Sequence, residues 1–105
     1  MNDWPQLPGL VIYATAPDRK CLSLRIDGMN PLDPAAGLET LYPWAIDRQL
    51  IHWELDLRPA QILQSRIIGA IVGMNTRLTL HQGAMTLIVQ PGSHLSRMFT
   101  LLQIQ

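Results

Sequence analysis

The stretch IHWELDL, Ile51 to Leu57, alternates without a break: Ile51, Trp53, Leu55 and Leu57 fall on one face of an extended chain, and His52, Glu54 and Asp56 on the other. A strand with one ionisable face is buried on one side only. Helices packed on both sides of its sheet would need apolar residues at both sets of positions. CLSLRI, Cys21 to Ile26, repeats the pattern, with Leu22, Leu24 and Ile26 set against Cys21, Ser23 and Arg25. Two such strands predict a sheet whose helices lie mainly on one face. On the open face Arg25 is expected to pair with Glu54 or Asp56, an exposed contact worth well under ~1 kcal/mol.

Working outward from these strands, LVIYAT (Leu10 to Thr15) has β-branched and aromatic content, and APDRK turns it into a hairpin with CLSLRI. DGMNPLDPAAG is dense in turn formers. From about Pro34 the spacing of Leu38, Leu41 and Ile46 predicts a helix that bends or restarts at Pro43. RPAQILQ is a connection, and Ser65 to about Leu80 is a second helix, closed by Gly83. MTLIVQ (Met85 to Gln90) is a strand, PGS a turn, and Ser93 opens a last helix to about Leu102. The order of elements predicts an α/β fold: a mixed four-stranded sheet with βαβ crossovers. Residues 1–9 read as an irregular leader and residues 10–105 as one domain.

Bulk properties narrow the function. A chain of 105 residues, 48% apolar, has room for one core. Eight basic residues balance eight acidic ones, so no net field draws it to nucleic acid or to anionic lipid. The single cysteine, Cys21, excludes an internal disulfide and fits a reducing compartment. MNDWPQLPG lacks the basic start and apolar run of a signal peptide, and no apolar run is long enough to span a bilayer. A cytoplasmic protein that does not enter a membrane is expected.

The remaining candidate chemistry centres on ILQSRIIGAIVG, Ile62 to Gly73. As a plain N-cap, the Ser65 hydroxyl would accept a hydrogen bond from the first helical turn, contributing on the order of 1 kcal/mol. As a modification site, it would hold a phosphate at the positive end of the helix, with Arg66 alongside. Gly69 and Gly73 lie one turn apart, and glycine inside a helix costs up to ~1 kcal/mol relative to alanine. Such positions imply close packing, against the sheet or against a partner. Ile67, Ile68, Ala70, Ile71, Val72 and Met74 are apolar on nearly every side, which predicts an exposed apolar patch near the start of this helix.

Catalytic and metal-binding signals are weak. His52, His81 and His94 fall on different elements with no metal-ligand spacing, so neither a metal nor another cofactor is expected. Cys21 has no neighbouring base and reads as a small packed side chain. Hydrolase signatures and phosphate-cradling glycine loops are absent from the sequence, and a non-enzymatic role follows as the expectation.

Element order and local sequence together resemble the STAS domain, the fold of bacterial anti-sigma factor antagonists. In that family a strand ending in "LDL" is followed, after about six residues, by "DSSGLG" at the head of a helix. Here LDL is Leu55 to Leu57; counting forward puts Gln64 on the aspartate, Ser65 on the first serine, Arg66 on the second, Ile67 on the first glycine, Ile68 on the leucine and Gly69 on the last glycine. CLSLRIDGMNPLDPAAGLETL resembles the family's strand and "GELDxxTAxxL" segment, and MTLIVQPGSHLSRMFTLLQI its "LVLVNPSPxVRRLLELTGL" ending. The likeness runs from about Leu10 to Ile104.

The resemblance implies a protein-binding switch. In the family an anti-sigma factor kinase phosphorylates the first serine; the unmodified antagonist binds the kinase and frees the sigma factor, and the phosphate breaks the complex. Carried over, Ser65 is the candidate phosphoacceptor, and Gln64, Ser65, Arg66, Ile67, Ile68, Gly69, Val72 and Gly73 form the candidate docking surface. The sequence departs from the pattern at the motif itself. Gln64 replaces the acidic residue, and Arg66 with Ile67 replaces a small Ser-Gly pair, which crowds the approach of a kinase. Two alternatives stand beside the switch: an unphosphorylated adaptor built into a larger STAS-containing complex or a homodimer, and a small-molecule or nucleotide module using the helix N-terminus.

Overall fold

A computed structural model describes residues 4–7, 9–26, 34–59, 65–93 and 97. Strand β1 (Leu10–Ala16) leads through a short 3-10 turn at Pro17–Arg19 into β2 (Cys21–Ile26), followed by helix α1 (Pro34–Asp47), β3 (His52–Asp56), helix α2 (Ser65–Thr79) and β4 (Ala84–Ile88). The sheet order is β1-β2-β3-β4. β1 is antiparallel to β2, and β2, β3 and β4 run parallel, so the sheet is mixed as expected. The last helix expected from Ser93 lies outside the described residues, apart from Ser93 itself and Arg97.

Alternation in the sequence becomes the two faces of this sheet. Leu22, Trp53 and Met85 are in register across β2, β3 and β4, as are Leu24, Leu55 and Leu87 in the next row. These residues meet Leu38, Leu41 and Ala45 of α1 and Ile67, Ile71, Met74 and Leu78 of α2 in one core cluster. Trp53, fully buried there, donates its indole N–H to the Leu50 carbonyl at 2.8 Å, so its one polar atom is satisfied. The opposite face carries Tyr13, Ser23, Arg25, Glu54 and Thr86, all exposed or half-buried. Both helices therefore cover one side.

A β-bulge, not legible from alternation, interrupts β1: Ile12 pairs with Leu24 and Ala14 with Ser23, leaving Tyr13 as the extra residue. Alternation from buried Ile12 already sets Tyr13 on the open face, and the bulge carries Ala14 there with it; the Tyr13 hydroxyl donates to Glu54 Oε1 at 3.1 Å.

Three local expectations are corrected. Helix α1 does not restart at Pro43 but continues through it; the proline is exposed, while Leu41 and Ala45 on either side are fully buried and hold both halves to the core. Gly83 does not supply the left-handed residue that closes α2; Gln82 does, at φ 65. Its amide donates to Thr79 O and that of Gly83 to Leu78 O, a Schellman closure. Helix α1 ends the same way, with Gln49 at φ 60 donating to Ile46 O and Leu50 to Ala45 O. What requires glycine at 83 is space, because a Cβ there would fall on the Ile51 carbonyl oxygen. Thirdly, among the described residues Arg25 forms no ion pair with Glu54 or with Asp56, which it faces in register; Glu54 accepts from Tyr13 and Asp56 is taken by Arg58.

Candidate functional site

The parallel strands β2, β3 and β4 end together at the edge from which α2 starts, the usual location of sites on open α/β sheets. At the end of β3, Asp56 is 6% exposed and is held by a residue two positions on. Its Oδ1 accepts the Arg58 backbone N–H at 3.0 Å and Nε–H at 2.9 Å, and its Oδ2 accepts from the guanidinium terminus at 2.7 Å. This combines an Asx-type turn with a side-on carboxylate–guanidinium fork. The hydrogen bonds from Arg58 hold the Asp56 carboxyl below its ordinary range, with Arg25 adding a smaller attraction. The pair fixes the direction in which the chain leaves β3 toward α2. Beside it, partial burial pushes the Tyr13 hydroxyl up, and its bond to Glu54 adds to the shift.

Ser65 is the first residue of α2 and is exposed. Among the described residues its hydroxyl has no hydrogen-bond partner, so the capping bond expected of it is not formed. Arg66 is exposed beside it, and no acidic residue stands in the first turn. Gln64 lies outside the described residues.

The candidate docking residues divide into two groups. Ile67 and Ile68 are 4% and 8% exposed and belong to the core. Gly69 and Gly73 face solvent on the same row as Ser65, with Val72 half-buried next to them. The expected exposed apolar patch is therefore not present on the first turns of α2: among the described residues the large exposed apolar side chains are Val11, Tyr13 and Leu80. The physical reason is that α2 packs against both α1 and β4 and so buries a wide arc that takes in Ile67, Ile68, Ile71, Met74 and Leu78. Packing among the described residues does not account for the glycines either, since a Cβ at Gly69 or Gly73 would meet none of them within 4 Å.

Away from this edge, a cluster absent from the sequence reading ties the helices together. Arg77 of α2 bonds the Glu39 carboxylate of α1 at 2.9 and 3.0 Å and lies 3.9 Å over the Tyr42 ring, whose hydroxyl is hydrogen-bonded to His81 at 2.8 Å. Glu39 and Tyr42 share a helix face, a spacing that offered a signal only if the partner helix were known. Cys21 is half-buried and its thiol donates to Arg19 O at 3.3 Å. Among the described residues no group of three or more His, Cys, Asp or Glu side chains converges to hold a metal ion, and no helix is long and apolar enough to cross a membrane. His94 lies outside the described residues.

Compared with known proteins, the chain matches no family model, and no curated protein or solved structure shows significant similarity to it.

Proposed function

We propose that this chain is a non-enzymatic regulatory module that binds a protein partner through the solvent-facing row of α2, in the manner of an anti-sigma factor antagonist, with Ser65 as the residue whose phosphorylation switches the complex. The observation that carries the proposal is the state of Ser65: exposed, first in its helix, and with a hydroxyl that no described group engages. A serine committed to capping would lose its bond on modification; this one loses nothing. A phosphate there adds about −1.5 to −2 charge at the positive end of the helix, with no acid in the first turn to repel it. The chain order of β3, connection and α2 is also the order the STAS resemblance requires.

Affinity capture from the native host with wild type, Ser65→Ala and Ser65→Asp tests this, together with incubation with the captured kinase and ATP. Phosphate on Ser65 and loss of the partner from Ser65→Asp are expected. No phosphate, with equal capture by all three proteins, sinks the switch.

The exposed glycines favour a second form of the same idea, an adaptor that is never phosphorylated. Both cost helix stability, and among the described residues neither is used by packing inside the chain. In that form Gly69→Leu abolishes assembly and Ser65→Asp leaves it intact. A homodimer or a larger STAS-containing complex is the assembly it implies.

A further inference from the structure

Among the described residues β4 ends the sheet, and its outer edge is where another chain would add a strand. The parallel register fixes which backbone groups face outward. Ala84 N–H donates to Ile51 O at 3.1 Å, and Ile88 O accepts from Leu57 N–H at 2.8 Å, so Ala84 and Ile88 turn toward β3, as does Thr86 midway between them. Met85 and Leu87 present their amides and carbonyls away from the sheet.

Nothing in the β4 sequence discourages pairing at that edge. AMTLI has no charge and no proline, and its ladder with β3 has no bulge. The opposite edge is treated differently, since β1 is broken by the bulge at Tyr13. Among the described residues one side-chain hydrogen bond reaches the outer backbone of β4: Asn75 Oδ1, reaching down from α2, accepts the Met85 N–H at 3.0 Å.

We infer that Asn75 guards the β4 edge and keeps this chain from adding the β4 of a second copy. The self-complementary arrangement is antiparallel about Thr86, with Met85 of each copy opposite Leu87 of the other. It brings no like charges together and sets Thr86 against Thr86, a favourable cross-strand pair. Half of the hydrogen bonds at those positions use the Met85 N–H, and Asn75 occupies that donor in both copies. Pairing would have to break two existing bonds to complete its set of four. The inference is independent of any partner of α2 and of phosphorylation.

The test is self-association measured by sedimentation over a range of concentrations for wild type, Asn75→Leu, Asn75→Asp and the double variant Asn75→Leu with Thr86→Lys. Leucine matches asparagine in size but accepts no hydrogen bond, aspartate keeps an acceptor, and lysine at exposed Thr86 sets like charges opposite each other. Asn75→Leu is expected to associate at least about tenfold more tightly than wild type. Asn75→Asp and the double variant are expected to return to the wild-type value. If Asn75→Leu does not fold, Asn75→Ser, too short to reach Met85, takes its place under the same criteria. The inference is overturned if the folded variant associates no more than wild type, if Thr86→Lys fails to reverse the association, or if wild type is already a dimer that Thr86→Lys dissociates.

Discussion

Replacing Gly83 with alanine should destabilise the protein through one contact whose size can be worked out. A Cβ at 83 would fall on the Ile51 carbonyl oxygen and 2.8 Å from both the Ile51 carbonyl carbon and its Cβ. Two of these three atoms are backbone, so no rotamer change relieves the clash; the start of β4 must move off the residue before β3. Overpacking of this kind costs about 1–3 kcal/mol. The movement also weakens the Ala84 N–H to Ile51 O bond, at 3.1 Å, for about 1 kcal/mol more. Against this, alanine restricts the unfolded chain and returns about 0.4–1 kcal/mol. The net expectation is a loss of about 1–3.5 kcal/mol, a fall in Tm of roughly 5–15 °C for a domain of this size. Urea and thermal unfolding of Gly83→Ala, Gly69→Ala and Gly73→Ala provide the internal control. The two α2 glycines have open space where the Cβ would go, so their substitutions should stabilise by up to ~1 kcal/mol each. Gly83→Ala unfolding within about 0.5 kcal/mol of wild type would show the close approach to Ile51 to be wrong.

Three further outcomes follow from the site and its support. Asp56 titrates lower in the folded protein than when unfolded, so its contribution to stability is present above about pH 4 and lost as pH falls through the folded value. Asp56→Asn should therefore be less stable than wild type in urea titrations at pH 7, with the deficit shrinking in acid; a deficit that does not change with pH would contradict the pairing with Arg58. Ile68→Asp puts a charge into the core and should cost more than about 3 kcal/mol in unfolding experiments, whereas Gly69→Arg, on the exposed row, should leave a folded protein; equal stability of the two would contradict their assigned faces. Arg77→Ala removes the stacking on Tyr42 and the Glu39 pair and should cost about 0.5–1 kcal/mol by thermal denaturation, with most of it restored by lysine only if charge rather than planar stacking matters.

Where two periodicities were clean, the chain could be read directly. The alternation of CLSLRI and IHWELDL gave two parallel strands, their buried faces and the open side of the sheet, because a period of two has only one way to face a single core. Helix α2 was placed within a residue of its observed ends. What escaped detection depends on contacts between distant segments. Ile67 and Ile68 looked like surplus apolar residues because the width of the buried arc is set by α1 and β4 together, not by α2. The bulge at Tyr13 left no mark on composition. Asp56 was one of two partners expected for Arg25 across the sheet, with Glu54, because strand pairing was weighed above the two-residue Asx turn to Arg58, the shorter and less costly contact. Ser65 was found by its place at the head of a helix, yet its lack of a capping bond became visible only from the coordinates.

Both helices leave through a glutamine in the left-handed conformation, Gln49 and Gln82, where glycine is the easier residue. A side chain held there costs on the order of 1 kcal/mol. The two positions are far from the start of α2, and glycine at each should raise stability without touching that surface. They amount to a reserve: a lineage, or an experimenter, that fixes glycine at 49 and 82 gains the margin needed to tolerate costly changes elsewhere. Variation in the residues around Ser65 need not then be limited by whether the fold survives it.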